Sequence, residues 1–171
     1  MPKFMEKYLP FTGGTAWLGT PYLFSATTGV KGGSTSCGGF VVGLFLEFGI
    51  NVSMNGECIP QQTNKDGTKS DRTTMKQWTA TGEGAANPPL FDKSQSKFDI
   101  NLLNVMDTIY YDLNLDGCVD HASFDYGQDS KGNHYIIHNS NNTDKLSIKP
   151  FERYSDNTIV GVKDYFGASQ K

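Results

Sequence analysis

The sequence is poor in the residues that do most nucleophilic and metal chemistry, with three Cys and three His among 171 residues. It has no run of Lys or Arg, and its formal net charge is −3. A nucleic-acid partner is therefore not expected, because such proteins normally present a basic patch. The longest apolar stretch, residues 40–50, is far shorter than the roughly 20 residues that span a membrane.

No apolar secretory segment follows the first residues. We therefore expect export, if it occurs, to use a signal removed from this sequence or a route that needs none. The odd number of cysteines leaves at least one thiol unpaired. Cys58 and Cys118 could form a disulfide in an oxidising compartment, but the pairing cannot be read from the sequence. The length and the 37% hydrophobic content indicate one globular domain over residues 1–171.

The clearest helix is predicted from Cys37 to Phe48, where apolar residues at 40, 41, 44, 45 and 48 follow helical spacing. Residues 34–36 are N-cap candidates, and Gly49 stands where a helix-ending glycine belongs. Cys37 therefore opens the helix. The unpaired amides of a helix N-terminus stabilise a thiolate, which is the reactive form of cysteine. A buried, inert cysteine at a helix start is the alternative.

Strands are predicted after residue 105, over residues 108–112, 121–126, 134–138 and 157–162. Residues 1–31 indicate a short helix or an irregular arm. Residues 51–100 are polar and predict a long loop beside the cleft, with a helical turn from Arg72 to Thr79. A helix followed by an antiparallel sheet defines an α+β fold.

The three histidines lie in one predicted hairpin, at positions 121, 134 and 138. A thiol nucleophile needs a base, and His121, at the start of its strand, is the expected one. His138 ends the returning strand and would orient the ring of His121, which is the third role in a catalytic triad. Asn139 is an alternative for that role. We expect His134 to be exposed to solvent.

Several segments resemble the NlpC-type cell-wall cysteine peptidases, in the same order along residues 18–163. Leu18-Gly-Thr-Pro-Tyr22 resembles their Gly-x-Pro-Tyr segment, and Ser36-Cys37-Gly38-Gly-Phe-Val resembles Asp-Cys-Ser-Gly-Phe-Val. The segments that begin at Asp71, Asn104, Asp120, Tyr135, Ser147 and Ile159 resemble later family segments. The resemblance implies a papain-like fold, in which the N-terminal helix bearing the nucleophile packs on a central antiparallel sheet.

The resemblance also implies the site residues: Cys37 as nucleophile, His121 as base and His138 as the third polar residue. Tyr22 would point its hydroxyl towards the oxyanion, beside the backbone amide of Cys37. Ser36 and Gly38 replace a family Asp and Ser that hold the substrate, so substrate preference is expected to differ from the family's. Asp107 keeps the acid of a family Gly-Asp pair without the glycine before it.

The segment before His121 matches the start of a calcium loop, with Asp112, Asn114, Asp116 and Asp120 at loop positions 1, 3, 5 and 9. Position 12 is Ser123, where a bidentate Glu is normal. A plain turn also needs Asn, Asp and Gly, and relatives among the amidases have a similar run before the base. Both interpretations stay open, and no cofactor is expected to be required.

The leading hypothesis is a cysteine hydrolase that cleaves peptide or amide bonds in bacterial peptidoglycan through an acyl-enzyme. Its partners would be stem peptides, and its location would be extracellular or periplasmic. One alternative is an interbacterial amidase toxin of the same fold, which would have an inhibitor or immunity protein. Others are a CHAP-like amidase and a catalytically degenerate module that binds wall fragments. Analysis of peptides released from peptidoglycan separates these hypotheses.

Overall fold

A computed structural model describes residues 8–23, 28–54, 78–81, 89–93, 95–115, 119–139 and 145–166. Two α-helices lie in these ranges, α1 (Tyr8–Thr15) and α2 (Cys37–Glu47). Within the same ranges, no helix has the length and apolar character that crossing a membrane requires.

The described strands form two antiparallel sheets. The small sheet pairs β1 (Asn51–Met54) with β2 (Trp78–Thr81). The large sheet has six strands in the order β3-β8-β4-β5-β6-β7. Its strands are β3 (Phe91–Asp92), β4 (Thr108–Tyr111), β5 (His121–Gln128), β6 (His134–His138), β7 (Ser147–Pro150) and β8 (Ile159–Lys163).

Helix α2 packs its apolar side against one face of the large sheet. Phe40 and Phe45 of the helix are fully buried, and both meet the ring of Phe124 edge-on, with centroids 5.4 Å apart. Burying side chains of this size contributes about 1.5–3 kcal/mol each. This contact fixes the helix, and therefore the residue at its start, relative to β5.

A second apolar cluster covers the opposite face of the sheet. Ile109, Ile136 and Ile159 are buried there under Phe151, which belongs to the short 3₁₀ helix Phe151–Arg153 after β7. Both faces of β4 and β5 are therefore covered, which explains why every residue of β4 is buried.

The predicted α+β class is confirmed, and the predicted helix and the four later strands are present within a few residues. Two expectations for residues 51–100 are wrong. The described residues of this segment include three strands, where the sequence predicted a long loop. Trp78 and Thr79, placed in a helical turn by the sequence, begin strand β2. The rest of that predicted turn, residues 72–77, lies outside the described residues.

The pairing of β5 with β6 decides which side chains share a face. Asp125 lies opposite Ile136, and side chains alternate along each strand. His121, Ser123 and Asp125 therefore lie on the same face of the sheet as the three even-numbered residues of β6, which include all its histidines. A β-bulge between Asp125 and Gly127 interrupts the register near the far end.

Candidate active site

Ser36 caps the start of α2, and Cys37 is the first helical residue, as the sequence predicts. The Ser36 backbone is extended, and its hydroxyl accepts a hydrogen bond from the amide of Gly39 at 2.9 Å. The Cys37 side chain is only partly covered. The thiol therefore combines a helix N-terminus with access from solvent, which is the environment that favours a reactive thiolate.

The thiol lies next to the strand that carries His121. Its Sγ is 4.0 Å from the backbone carbonyl oxygen of Asp120, across 83 residues of sequence. Asp120 directly precedes His121, the first residue of β5. The packing of α2 on the sheet thus brings the two sequence-predicted residues into one neighbourhood.

His121 and His138 are joined by a hydrogen bond. The Nε2 of His121 is 2.9 Å from the Nδ1 of His138, and the two rings meet at 80°. Both side chains are buried, with 5% and 0% of their surface exposed. The contact follows from the hairpin, because β6 returns antiparallel beside β5 and ends where β5 begins.

This hydrogen bond has a chemical consequence for His121. When His121 has its hydrogen on Nε2, it donates to His138 and its Nδ1 is the basic nitrogen. When His121 accepts a proton on Nδ1, the Nε2–H can still donate to His138. The arrangement therefore suits a base that takes a proton through Nδ1 while a partner fixes its tautomer.

Two tyrosines that the sequence reasoning missed surround the ring of His121. Tyr154 places its hydroxyl 3.3 Å from Nε2 of His121, and Tyr111 packs its ring 5.3 Å from the same imidazole. The Tyr111 hydroxyl is hydrogen-bonded to Ser123 at 2.8 Å. Burial raises the pKa of the Tyr111 phenol well above its usual range, so this hydroxyl stays protonated at neutral pH.

Asn139 connects the strand of His138 to the segment that leads into Cys37. Its side-chain amide donates to the carbonyl of Thr35 at 3.0 Å and, less closely, to that of Thr20 at 3.4 Å. The side chain is fully buried. His138, not Asn139, contacts the ring of His121, so the amide of Asn139 has a different use from the alternative that the sequence left open.

The remaining predicted substrate residues lie around the start of α2. Tyr22 is partly buried and forms a parallel bridge with Thr35, two residues before Cys37. Gly38 has open space where a β-carbon would project. Ser36 uses its hydroxyl as the helix cap and is 8% exposed. The roles of these residues towards a substrate and an oxyanion stay predictions.

The residue before Asp107, where the NlpC-type pattern has glycine, has an unusual backbone conformation. Met106 stands at that position and adopts φ +66°, a left-handed conformation that glycine accepts most readily. Its side chain is 1% exposed and belongs to the core beside α2. The backbone here thus has a conformation that glycine would accept, although the residue is a methionine, and the methionine side chain fills the core.

The turn before His121 is partly described. Both carboxylate oxygens of Asp120 accept from the amide of Leu113, at 2.9 and 3.1 Å, and the Asp120 amide donates to Tyr111. The Asp120 carboxylate thus closes the turn that precedes His121.

Asp116 and Cys118 lie outside the described residues, as does Cys58. In the described ranges no group of three His, Cys, Asp or Glu residues could hold a metal, and calcium at this turn stays a prediction.

A second buried pair, between a histidine and an aspartate, lies at the other end of the same sheet face. The Nδ1 of His134 is 2.9 Å from Oδ1 of Asp125, and the two side chains are 6% and 1% exposed. The expectation that His134 faces solvent is wrong, because the strand is covered there. The pair borders a cavity of about 340 Å³ that Asn101, Asn104 and Gln128 also line.

No protein-family model matches the sequence, and no curated protein matches it. Among solved structures, an N-acetylmuramoyl-L-alanine amidase from Bacteroides uniformis has a similar fold, with a TM-score of 0.50 and 11% identity over 90% of this chain and 96% of the amidase. A second amidase structure from that organism has a TM-score of 0.48 and 10% identity, over 93% and 97% of the two chains. Likeness at this identity concerns the fold, and the resemblance to NlpC-type peptidases stays a prediction.

Proposed function

We propose that this protein is a peptidoglycan hydrolase that cleaves an amide bond of the cell wall with Cys37 as nucleophile and His121 as base. The observation that carries the proposal is one neighbourhood containing a thiol at a helix start and a buried imidazole bound by a second histidine. An amidase-like fold over nine-tenths of the chain supports the substrate class.

The proposed reaction begins with proton transfer from the Cys37 thiol to Nδ1 of His121. The thiolate attacks the carbonyl carbon of the amide, and a tetrahedral oxyanion forms. Amides in the first turn of a helix lack a carbonyl partner within the helix, so the backbone amide of Cys37 would donate to this oxyanion. The Tyr22 hydroxyl is the second proposed donor.

Collapse of the intermediate breaks the carbon–nitrogen bond and leaves an acyl group on Cys37. As this bond breaks, the protonated His121 gives its proton to the leaving nitrogen, which departs as an amine. His121 next takes a proton from water, which attacks the thioester and releases the acid with regeneration of the thiol. Throughout the cycle, Nε2 of His121 keeps its hydrogen bond to His138, which holds the ring in the reactive orientation.

The bond that is cut defines two versions of the proposal. An amidase would separate the N-acetylmuramoyl group from L-alanine, whereas an endopeptidase would cut within the stem peptide. We favour the amidase because the similar solved structure is called an N-acetylmuramoyl-L-alanine amidase, and because Ser36 replaces the acidic residue of the peptidase pattern. We also propose an extracellular or periplasmic site of action, where peptidoglycan lies.

The test is digestion of purified peptidoglycan, with released products identified by mass spectrometry. The wild-type protein is expected to release intact stem peptides with a free L-alanine amino terminus, and Cys37→Ala is expected to release none. Shortened stem peptides would favour the endopeptidase version. Product that is independent of Cys37 would overturn the mechanism. No product from several wall types, together with retained wall binding, would favour the degenerate binding module.

A further inference from the structure

Tyr154 lies directly after the 3₁₀ helix Phe151–Arg153 and reaches back over the catalytic histidines. Its ring packs on Tyr111 with centroids 4.8 Å apart, and it lies 5.3 Å from the His121 ring and 6.0 Å from the His138 ring. These contacts hold the phenol between strand ends, so its hydroxyl has a defined position.

The Tyr154 hydroxyl approaches the same nitrogen that His138 contacts. Its oxygen is 3.3 Å from Nε2 of His121, while Nδ1 of His138 is 2.9 Å from it. An N–H group can be shared between two acceptors. When His121 carries its hydrogen on Nε2, the shorter contact makes His138 the main acceptor, and the tyrosine oxygen is a longer second acceptor.

We propose that Tyr154 is a positioning residue, and that it shares with His138 the task of keeping the hydrogen of His121 on Nε2. The inference rests on the proposed function, since it assigns a role to a residue acting through the base. A phenol oxygen accepts from Nε2–H in both the neutral and the protonated imidazole. Tyr154 therefore favours the tautomer whose Nδ1 is basic, and it also stabilises the imidazolium that forms during the reaction.

Other titratable groups lie at or near His121. Tyr111 on β4 and His138 on β6 contact its ring, and Cys37 on α2 contacts the backbone of Asp120, the residue before it. The Asp120 carboxylate is engaged by the amide of Leu113, and the Tyr111 hydroxyl by Ser123. Tyr154 is therefore distinguished from Tyr111 by the hydrogen bond and not by aromatic packing, which both have.

The first test compares Tyr154→Phe with Tyr111→Phe in the full-length enzyme. Each change removes one hydroxyl from a ring that packs on His121, but only the Tyr154 hydroxyl bonds Nε2. Tyr154→Phe is expected to lower kcat about 5-fold with KM nearly unchanged, and to move the limb of the kcat/KM profile that reports the His121 pKa about half a pH unit lower. Tyr111→Phe is expected to change kcat less than about twofold and to leave the limb in place. Equal profiles for the two variants would overturn the proposal.

The second test asks whether the two partners of Nε2 substitute for one another. If either partner alone can hold the tautomer, Tyr154→Phe lowers kcat by a larger factor in the His138→Ala background than in the wild-type protein. The loss in the double variant is expected to exceed the product of the two single losses by about 5-fold. Strictly multiplicative losses would contradict a shared task. His138→Asn keeps an acceptor at that place, and the extra sensitivity to Tyr154→Phe is expected to shrink in that background.

A third measurement separates this inference from the proposed function. The ¹⁵N chemical shifts of the His121 ring report the tautomer directly and need no turnover, so they are recorded in Cys37→Ala protein. Tyr154→Phe is expected to lower the Nε2–H fraction, and Tyr111→Phe to leave it unchanged. This result with an inactive wild-type protein would support the positioning role and reject the function. An active enzyme whose tautomer ignores Tyr154→Phe would retain the function and reject the positioning role.

Discussion

The two ends of one sheet face carry two histidine pairs with different partners. At the start of β5, His121 bonds another histidine, and the thiol of Cys37 lies beside the preceding residue. Four residues further along the strand, roughly 13 Å away, Asp125 bonds His134. The described residues that line the cavity beside the second pair include neither cysteine nor serine.

A buried histidine with a hydrogen-bonded partner occurs at both ends of the face, so the pair alone does not single out one end as the active site. The His134–Asp125 pair ties β6 to β5 at the bulge between Asp125 and Gly127, where the strand ladder is interrupted and a side-chain contact can replace it. The His121–His138 pair occurs where β5 begins, a place that the start of α2 also reaches. The Cys37 thiol lies beside Asp120, the residue before His121, and this contact is the reason why His121 and not His134 is the proposed base.

The largest expected difference between the His121 end and the His134 end of the sheet face is in the catalytic rate. His121→Ala is expected to lower kcat/KM for peptide release from peptidoglycan about 10³-fold, because general-base catalysis contributes about 10²–10⁴-fold. His134→Gln removes a histidine from the same face and is expected to change kcat/KM less than about threefold. Comparable rate losses at both ends would break the distinction drawn here.

The second expected effect is on the stability of the fold, and it concerns the Asp125–His134 pair. Asp125→Ala leaves the buried Nδ1 of His134 without its carboxylate partner, and the loss of such a hydrogen bond costs about 2 kcal/mol. The free energy of unfolding from urea titration measures this loss. Glu152→Ala, at an exposed position, is the matched control and should lie within about 0.5 kcal/mol of wild type. Equal stability of the two variants would contradict a structural role for the Asp125–His134 pair.

The third effect concerns the partner of the base. His138→Ala removes the proposed acceptor from Nε2 of His121, and kcat is expected to fall about 10-fold, less than when the base itself is removed. His138→Asn keeps an oxygen that can accept and should recover part of the rate. Steady-state kinetics on a soluble muropeptide separates kcat from KM. A fall confined to KM would mean that His138 binds substrate instead of orienting the base.

The smallest effect is expected at Gly38, where the family pattern has serine. A β-carbon there meets open space, and serine has a better helix propensity than glycine. The free energy of unfolding of Gly38→Ser is therefore expected to lie within about 1 kcal/mol of the wild-type value. The substitution is expected to change kcat/KM less than about threefold. The ratio of amidase to endopeptidase products is the sharper readout. A large loss of activity would mean that substrate occupies the space next to Cys37.

Local patterns predicted much of the scaffold. Helical spacing placed Cys37 at the start of α2, and the predicted hairpin placed His121 at the start of its strand and His138 at the end of the returning one. The contact of His121 with His138 was predictable because a short hairpin restricts where the ends of its two strands can lie. These features depend on residues close in sequence or on one tight turn.

The missed features depend on contacts between distant segments. Tyr154 reaches His121 only because the chain turns back over the sheet after β7, and no local spacing reports that return. The burial of His134 depends on its pairing with Asp125, nine residues away and across a bulge. Strands β1 and β2 pair across a long polar connection, whose composition resembles that of a loop. The φ of Met106 contradicts its residue type, so the sequence could not indicate it.

The central claim is that His121 activates Cys37, and the most direct measurement is alkylation of Cys37 by iodoacetamide at pH 6. Peptide-resolved mass spectrometry distinguishes Cys37 from Cys58 and Cys118. Ordinary thiols are almost fully protonated and slow to react at this pH. The account predicts that Cys37 reacts at least about tenfold faster than a free cysteine, and that His121→Ala removes the advantage while His134→Gln preserves it. Slow alkylation of Cys37 in the wild-type protein, unchanged by His121→Ala, would contradict the account.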